Sequence, residues 1–135
     1  MLFRSFIYST ASPSVLAAAA RAAVEFLASP QGEDRRLQLW KRIELMRKNL
    51  PPDRQSTLRE RPWPASAIFP WIVGDEQGAI DLSRALQSEG FLVPAVRYPT
   101  VAKGSARLRI TVTAVHEEAQ IIALTDAMRR LSTAA

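Results

Sequence analysis

The sequence predicts an α+β fold in which helices pack on one face of a mainly antiparallel sheet, preceded by a long connecting helix. Apolar residues recur at helical spacing in four blocks, residues 14–28, 33–50, 76–89 and 117–131. Three short runs rich in β-branched or aromatic residues, 66–74, 91–96 and 106–113, read as strands. The resulting order is two helices, then strand, helix, strand, strand, helix, which is that of a small α+β layer rather than of a repeat array.

Each element has its own start and stop signals. Ser12-Pro13 ahead of the alanine-rich stretch Ser14 to Ala28 reads as a capped helix start with proline at or near the first helical position, and Ser29-Pro30-Gln31-Gly32 reads as its end. In the second helix, Glu33 to Leu50, the turn spacing picks out Leu37, Trp40, Ile43 or Glu44, and Arg47. Leu39, Leu45, Met46 and Leu50 widen that apolar side, and Pro51-Pro52 stops the helix. The polar stretch Asp53 to Pro64 is expected to be an exposed connection with room for a short strand. Ser66 to Gly74 is a strand whose internal Pro70, lacking an N–H for the ladder, predicts an edge position or a bulge. Glu76 to Glu89 is a helix turning Ala79, Ile80, Leu82, Ala85 and Leu86 inward and ending at Gly90. Phe91 to Val96 and Ala106 to Thr113 complete the sheet, and Glu117 to Leu131 closes the chain with Ile121, Leu124, Met128 and Leu131 as its apolar stripe.

Bulk properties exclude several classes of chemistry. At 135 residues the chain suffices for one ordinary core without a staple. With no cysteine and one histidine, thiol nucleophiles, disulfide scaffolds and the usual zinc and iron–sulfur ligand sets are absent. The net charge of +5 is spread along the chain, which suits an anionic substrate but gives none of the basic clustering with interleaved aromatics that nucleic acid requires. The apolar N-terminal stretch is interrupted by Arg21 and Glu25, so it is not a membrane span. A reducing, cytoplasmic compartment is expected.

The chemistry is concentrated in three motifs. Arg107-Leu108-Arg109-Ile110-Thr111 alternates, so Leu108 and Ile110 face one side of the sheet and the two arginines the other. Taken alone, the alternation makes both arginines solvated charges. Arg97-Tyr98-Pro99-Thr100-Val101 forms a proline-fixed loop before that strand, and Phe6-Ile7-Tyr8-Ser9-Thr10-Ala11-Ser12-Pro13 leads into the first helix. Ser9, Thr10 or Ser12 would serve as an ordinary N-cap there.

Together these motifs resemble the α-oxoamine synthases, pyridoxal-phosphate enzymes that join an amino acid to an acyl-CoA. The resemblance runs from about Phe6 to Leu131 and covers the last third or so of the family's length. It implies the small C-terminal domain of a fold-type I enzyme, with residues 1–30 as the end of the large domain and the connecting helix, and 31–135 as the small domain. It makes Arg109 the residue that grips the substrate α-carboxylate, for which the planar guanidinium fork is suited. It places Ser9 and, chiefly, Thr10 against the phosphate of pyridoxal 5'-phosphate in the neighbouring subunit of a homodimer. The substrates implied are an amino acid and an acyl-CoA, L-alanine with a pimeloyl-CoA type of thioester in the version resembled, condensed with loss of carbon dioxide. A glycine-using acetyltransferase or another oxoamine synthase is the alternative within the family, and a non-catalytic module for an anionic ligand or a partner chain is the alternative of another class.

Two departures stand out: Ala102 and Glu117 occupy positions where the family often has proline and threonine. Arg97 and Lys103 are candidates to meet an anionic acyl-CoA but read equally as solvated loop charges, and His116 reads as a structural or capping residue. Lys41 and Lys48 fall on a surface helix and Lys103 in a loop, and none follows the Ser/Thr-rich turn expected of a Schiff-base lysine. That lysine is expected upstream of the Phe6 segment, so the chain by itself is expected to be inactive.

Overall fold

A computed structural model describes residues 13–52 and 66–133. The chain divides into two compact units, residues 1–36 and 37–135. Among the described residues there are four helices and three strands.

In the first unit, helix α1 (Ser14–Leu27) begins after Pro13, which sits at the N-cap without a side-chain hydrogen bond. The expected stop at Ser29 to Gly32 also starts the next helix, α2 (Pro30–Asn49). The Ser29 hydroxyl donates to the Phe26 carbonyl at 2.6 Å and accepts from the Gly32 N–H at 3.2 Å, closing one helix and capping the other. Pro30 then fits the first helical position, where no N–H is needed, so α2 starts ahead of the Glu33 expected. Gly32 is dictated by proximity: a Cβ there would lie 2.3 Å from the Phe26 oxygen and 2.7 Å from the Leu27 Cα, both backbone atoms.

The second unit contains the rest of α2, strand β1 (Ile68–Gly74), helix α3 (Glu76–Ser88), strands β2 (Ala95–Val96) and β3 (Ala106–Thr111), and helix α4 (Glu118–Thr133). The strand order is β1-β3-β2, antiparallel throughout. The helices of this unit pack against one face of the sheet. Phe69, Trp71 and Val73 of β1 and Ala106, Leu108 and Ile110 of β3 point into the core, joined by Ile43 and Met46 of α2, Leu86 of α3, and Ile121 and Met128 of α4. The α+β layer expected from the sequence is the one observed.

Two differences have physical causes. In α2 the seam turned to the core is Ile43 and Met46, both buried, with Leu39 half-buried before them and Leu50 half-buried just past the helix end, while Leu37 and Trp40 are exposed at 51% and 45%. Two stripes overlap in that helix, and the one through Leu37 and Trp40 runs on into Glu44 and Arg47, so only its neighbour stays apolar to the end. The strand expected from Phe91 to Val96 is reduced to Ala95–Val96. Pro94 cannot donate to the ladder, and Leu92 is left 85% exposed. As expected of Gly90, α3 closes in a Schellman turn: Phe91 N–H bonds Leu86 O at 2.9 Å, Gly90 N–H bonds Gln87 O at 3.0 Å, and Gly90 takes φ of 90°. At the other end of α3 the Asp75 carboxylate accepts from Gly78 N–H at 2.6 Å.

Pro70 behaves as anticipated. It lies on an edge strand opposite Arg109, and the register also slips between Ile72 and Gly74. Trp71, from the buried face of the same strand, donates its indole N–H to the Pro51 carbonyl at 3.0 Å and ties β1 to the end of α2.

Candidate functional site on the open sheet face

Strand β3 alternates as its sequence demands, with Leu108 and Ile110 buried and Arg107, Arg109 and Thr111 on the side turned away from the core. The neighbouring residues on that side are Ile68, Pro70 and Ile72 of β1, none of them buried. The open face is therefore a shallow, largely apolar surface carrying two arginines.

The arginines are not equivalent. Arg107 is half-buried, and its Nε donates to the Ser105 carbonyl at 3.0 Å, so its guanidinium is tied back to the loop that enters the strand. Arg109 is exposed, and its guanidinium has no hydrogen bond or ion pair among the described residues. Its backbone is nonetheless fixed, the N–H donating to Pro94 O at 3.0 Å. An exposed guanidinium without a protein partner among the described residues, on a paired strand, has the chemistry to receive a carboxylate or phosphate.

The other expected contributors are distributed differently. Ser9 and Thr10 lie outside the described residues. Arg97 and Lys103 line a groove of about 520 Å³ with Gly74, Asp75, Glu76 and Ile80. Two carboxylates face two cations there, so the groove is close to charge-balanced, and the Lys103 ammonium sits 5.3 Å from the centroid of the Tyr98 ring. His116 has the structural role expected. Its Nδ1 accepts from Thr113 N–H at 3.1 Å, and its carbonyl accepts from Arg42 Nε at 2.7 Å. Arg42 also bonds Glu118 at 2.5 Å, an anchor between α2 and the start of α4 that periodicity did not reveal. A second cavity of about 270 Å³, on the helix side, is lined mainly by apolar residues such as Met46, Phe91, Ile110 and Ile121, with His116 at its edge. On α2, hydrogen bonds from Arg47 at 3.0 and 3.1 Å hold the Glu44 carboxyl below its ordinary pKa, on a solvated helix face.

The Arg109 guanidinium has the chemistry to receive a carboxylate. Lys41, Lys48 and Lys103 are all exposed, so among the described residues there is no sequestered lysine for a Schiff base. Nor do those residues contain a cluster of three or more metal ligands. No helix of the described residues is long and apolar enough to cross a membrane.

The sequence model of aminotransferase class I and II matches residues 1–128. The chain belongs to that family. Within it, the chain is 43% identical over 133 residues to an 8-amino-7-oxononanoate synthase of Methylobacterium sp. (strain 4-46), covering 98% of the chain and 32% of the relative. A protein of the same name from Chromobacterium violaceum is 40% identical over 127 residues, covering 94% and 31%. The chain thus spans about a third of the length of the curated relatives it matches. Among solved structures, 8-amino-7-oxononanoate synthase from Francisella tularensis superposes with a TM-score of 0.71 at 22% identity, covering 96% of the chain and 36% of that structure. A serine palmitoyltransferase variant from S. paucimobilis with a bound PLP–myriocin aldimine gives 0.73 at 22% identity, covering 93% and 32%. These two likenesses establish the fold, and the resemblance to α-oxoamine synthases read from the motifs agrees with both names.

Proposed function

We propose that this chain is the C-terminal portion of a PLP-dependent 8-amino-7-oxononanoate synthase, which condenses L-alanine with a pimeloyl-CoA type of thioester and releases carbon dioxide and free CoA, in biotin biosynthesis. The observation that carries the reading is Arg109: an unpaired guanidinium on the open sheet face, in a chain more than two-fifths identical to enzymes of that name over nearly its whole length. In this reading the small domain is residues 31–135, the enzyme is a cytoplasmic homodimer, the Schiff-base lysine lies outside this chain, and Ser9 and Thr10 contact the cofactor phosphate across the subunit interface.

When bound, pyridoxal 5'-phosphate supplies an electron sink for the charge that develops at the amino acid's Cα. Arg109 supplies orientation. A bidentate grip on the α-carboxylate fixes the rotation about Cα, and so decides which of its bonds can align with that sink. Loss of the Cα proton, carbon–carbon bond formation to the thioester carbonyl with departure of the CoA thiolate, and decarboxylation each need a particular alignment.

A hybrid enzyme tests the reading. With this chain replacing the corresponding third of the Methylobacterium relative, the PLP-loaded protein is expected to form product from L-alanine and pimeloyl-CoA. Arg109→Ala should raise the KM for L-alanine by roughly 10- to 150-fold, the equivalent of about 1.5–3 kcal/mol for a charged hydrogen-bonded pair. A folded, loaded hybrid that turns over glycine and acetyl-CoA instead, or whose Arg109→Ala variant keeps its L-alanine KM, would overturn it.

A further inference from the structure

Arg109 stands between two prolines. On one side the register sets Pro70 of β1 opposite it. On the other its N–H bonds the Pro94 carbonyl, and since Ala95 pairs with Leu108, Pro94 is the residue alongside Arg109. Residues directly opposite in a sheet share a face, so both pyrrolidine rings lie on the open face with the arginine.

The two pairings differ in kind. Because the Arg109 N–H is directed to Pro94, the Pro70–Arg109 pair is non-hydrogen-bonded, the closer of the two antiparallel spacings, with Cβ atoms about 4.5–5.5 Å apart. Pro70 costs the ladder nothing in that position, since its nitrogen faces the free edge of β1. Pro94 accepts through its carbonyl but has no N–H to return, and the regular pairing of β2 stops beside the arginine. Both neighbours of the Arg109 side chain are thus residues with no side-chain rotamers to lose, while Ile68 and Ile72 extend the β1 wall above and below.

We propose that Pro70 and Pro94 are positioning residues for Arg109, forming a rigid trough along its aliphatic stem that limits the directions the guanidinium can take before substrate arrives. Preorganisation of this kind lowers the ordering cost of binding without adding a contact to the ligand. The inference rests on the proposed carboxylate-gripping role of Arg109. The alternative for Pro70 alone is purely architectural, an edge strand blunted against pairing with other chains.

Three variants of the hybrid enzyme separate these roles. Pro70→Ala removes most of the ring, Pro70→Val restores the N–H but keeps apolar bulk, and Pro94→Ala removes the second wall. The trough predicts that Pro70→Ala and Pro94→Ala each raise the KM for L-alanine about three- to tenfold, the ordering of one long side chain. The KM for pimeloyl-CoA and kcat should stay within about twofold, as expected of an effect confined to amino-acid binding, and Pro70→Val should stay near the parent on all three. Unchanged L-alanine KM in both alanine variants, while Arg109→Ala still raises it, would overturn the trough and leave the function standing. Parallel rises in both substrates' KM, or a Pro70→Val variant as impaired as Pro70→Ala, would also overturn it, because a folding or edge defect gives that pattern. Failure of Arg109→Ala itself would strike at the function instead.

Discussion

On the side of the sheet turned to the helices, Phe69, Trp71, Leu108 and Ile110 are buried, whereas the residues that alternate with them, Ile68, Pro70, Ile72, Arg107, Arg109 and Thr111, all keep contact with solvent. The same strands therefore serve two masters, one residue apart. Burial of the first set drives folding, because apolar area removed from water is the dominant favourable term. The second set mixes apolar side chains with two arginines, and it is on this face that the proposed carboxylate grip of Arg109 would act.

The largest separation between the faces should appear in stability. Leu108 is fully buried, opposite Trp71 on one side and Ala95 on the other, so Leu108→Ala is expected to destabilise the chain by about 2–5 kcal/mol in urea unfolding, through lost transfer energy and the cavity left behind. A cost below about 1 kcal/mol would mean that the helical side is loosely packed, and the contrast would weaken accordingly. Trp71→Phe probes the same face more gently. It keeps most of the buried ring but strands the Pro51 carbonyl, for an expected loss of about 1–3 kcal/mol with no change in far-UV circular dichroism.

Much of this contrast was legible in the sequence. The alternation of Arg107 to Thr111 placed the residues on their faces, and Pro70 announced an edge strand, because both follow from the two-residue period of a strand and the missing N–H of proline. Other features were illegible for equally physical reasons. The seam of α2 was ambiguous because two apolar stripes overlap over most of its length, and Pro94 cut β2 short where composition alone suggested a full strand. Ser29 read as a terminator because its second hydrogen bond depends on where the chain goes next. Arg42 gave no signal at all, its partners His116 and Glu118 being more than seventy residues away. Within the candidate site, alternation put both arginines on one face but could not tell them apart, since the difference is a hydrogen bond to a loop carbonyl. The motif resemblance alone distinguishes Arg109 as the carboxylate grip, and the role stays a proposal; the structure adds that its guanidinium has no protein partner among the described residues.

That difference should yield the smallest effects on stability and the sharpest split in amino-acid binding. Arg107→Ala removes the bond to the Ser105 carbonyl and should cost about 0.5–1.5 kcal/mol in stability, loosening the turn that delivers the chain into β3, while leaving the L-alanine KM of the hybrid enzyme near its parent value. Arg109→Ala should do the reverse. With no intramolecular partner to lose, its unfolding free energy should move by no more than about 0.5 kcal/mol, even as amino-acid binding collapses. The two substitutions delete the same side chain from the same strand, so net charge and strand propensity cancel between them, and what remains is the use to which each guanidinium is put. If both variants lost stability equally, or both lost L-alanine equally, the open face would be a uniform cationic surface and Arg109 would have no privileged role in it.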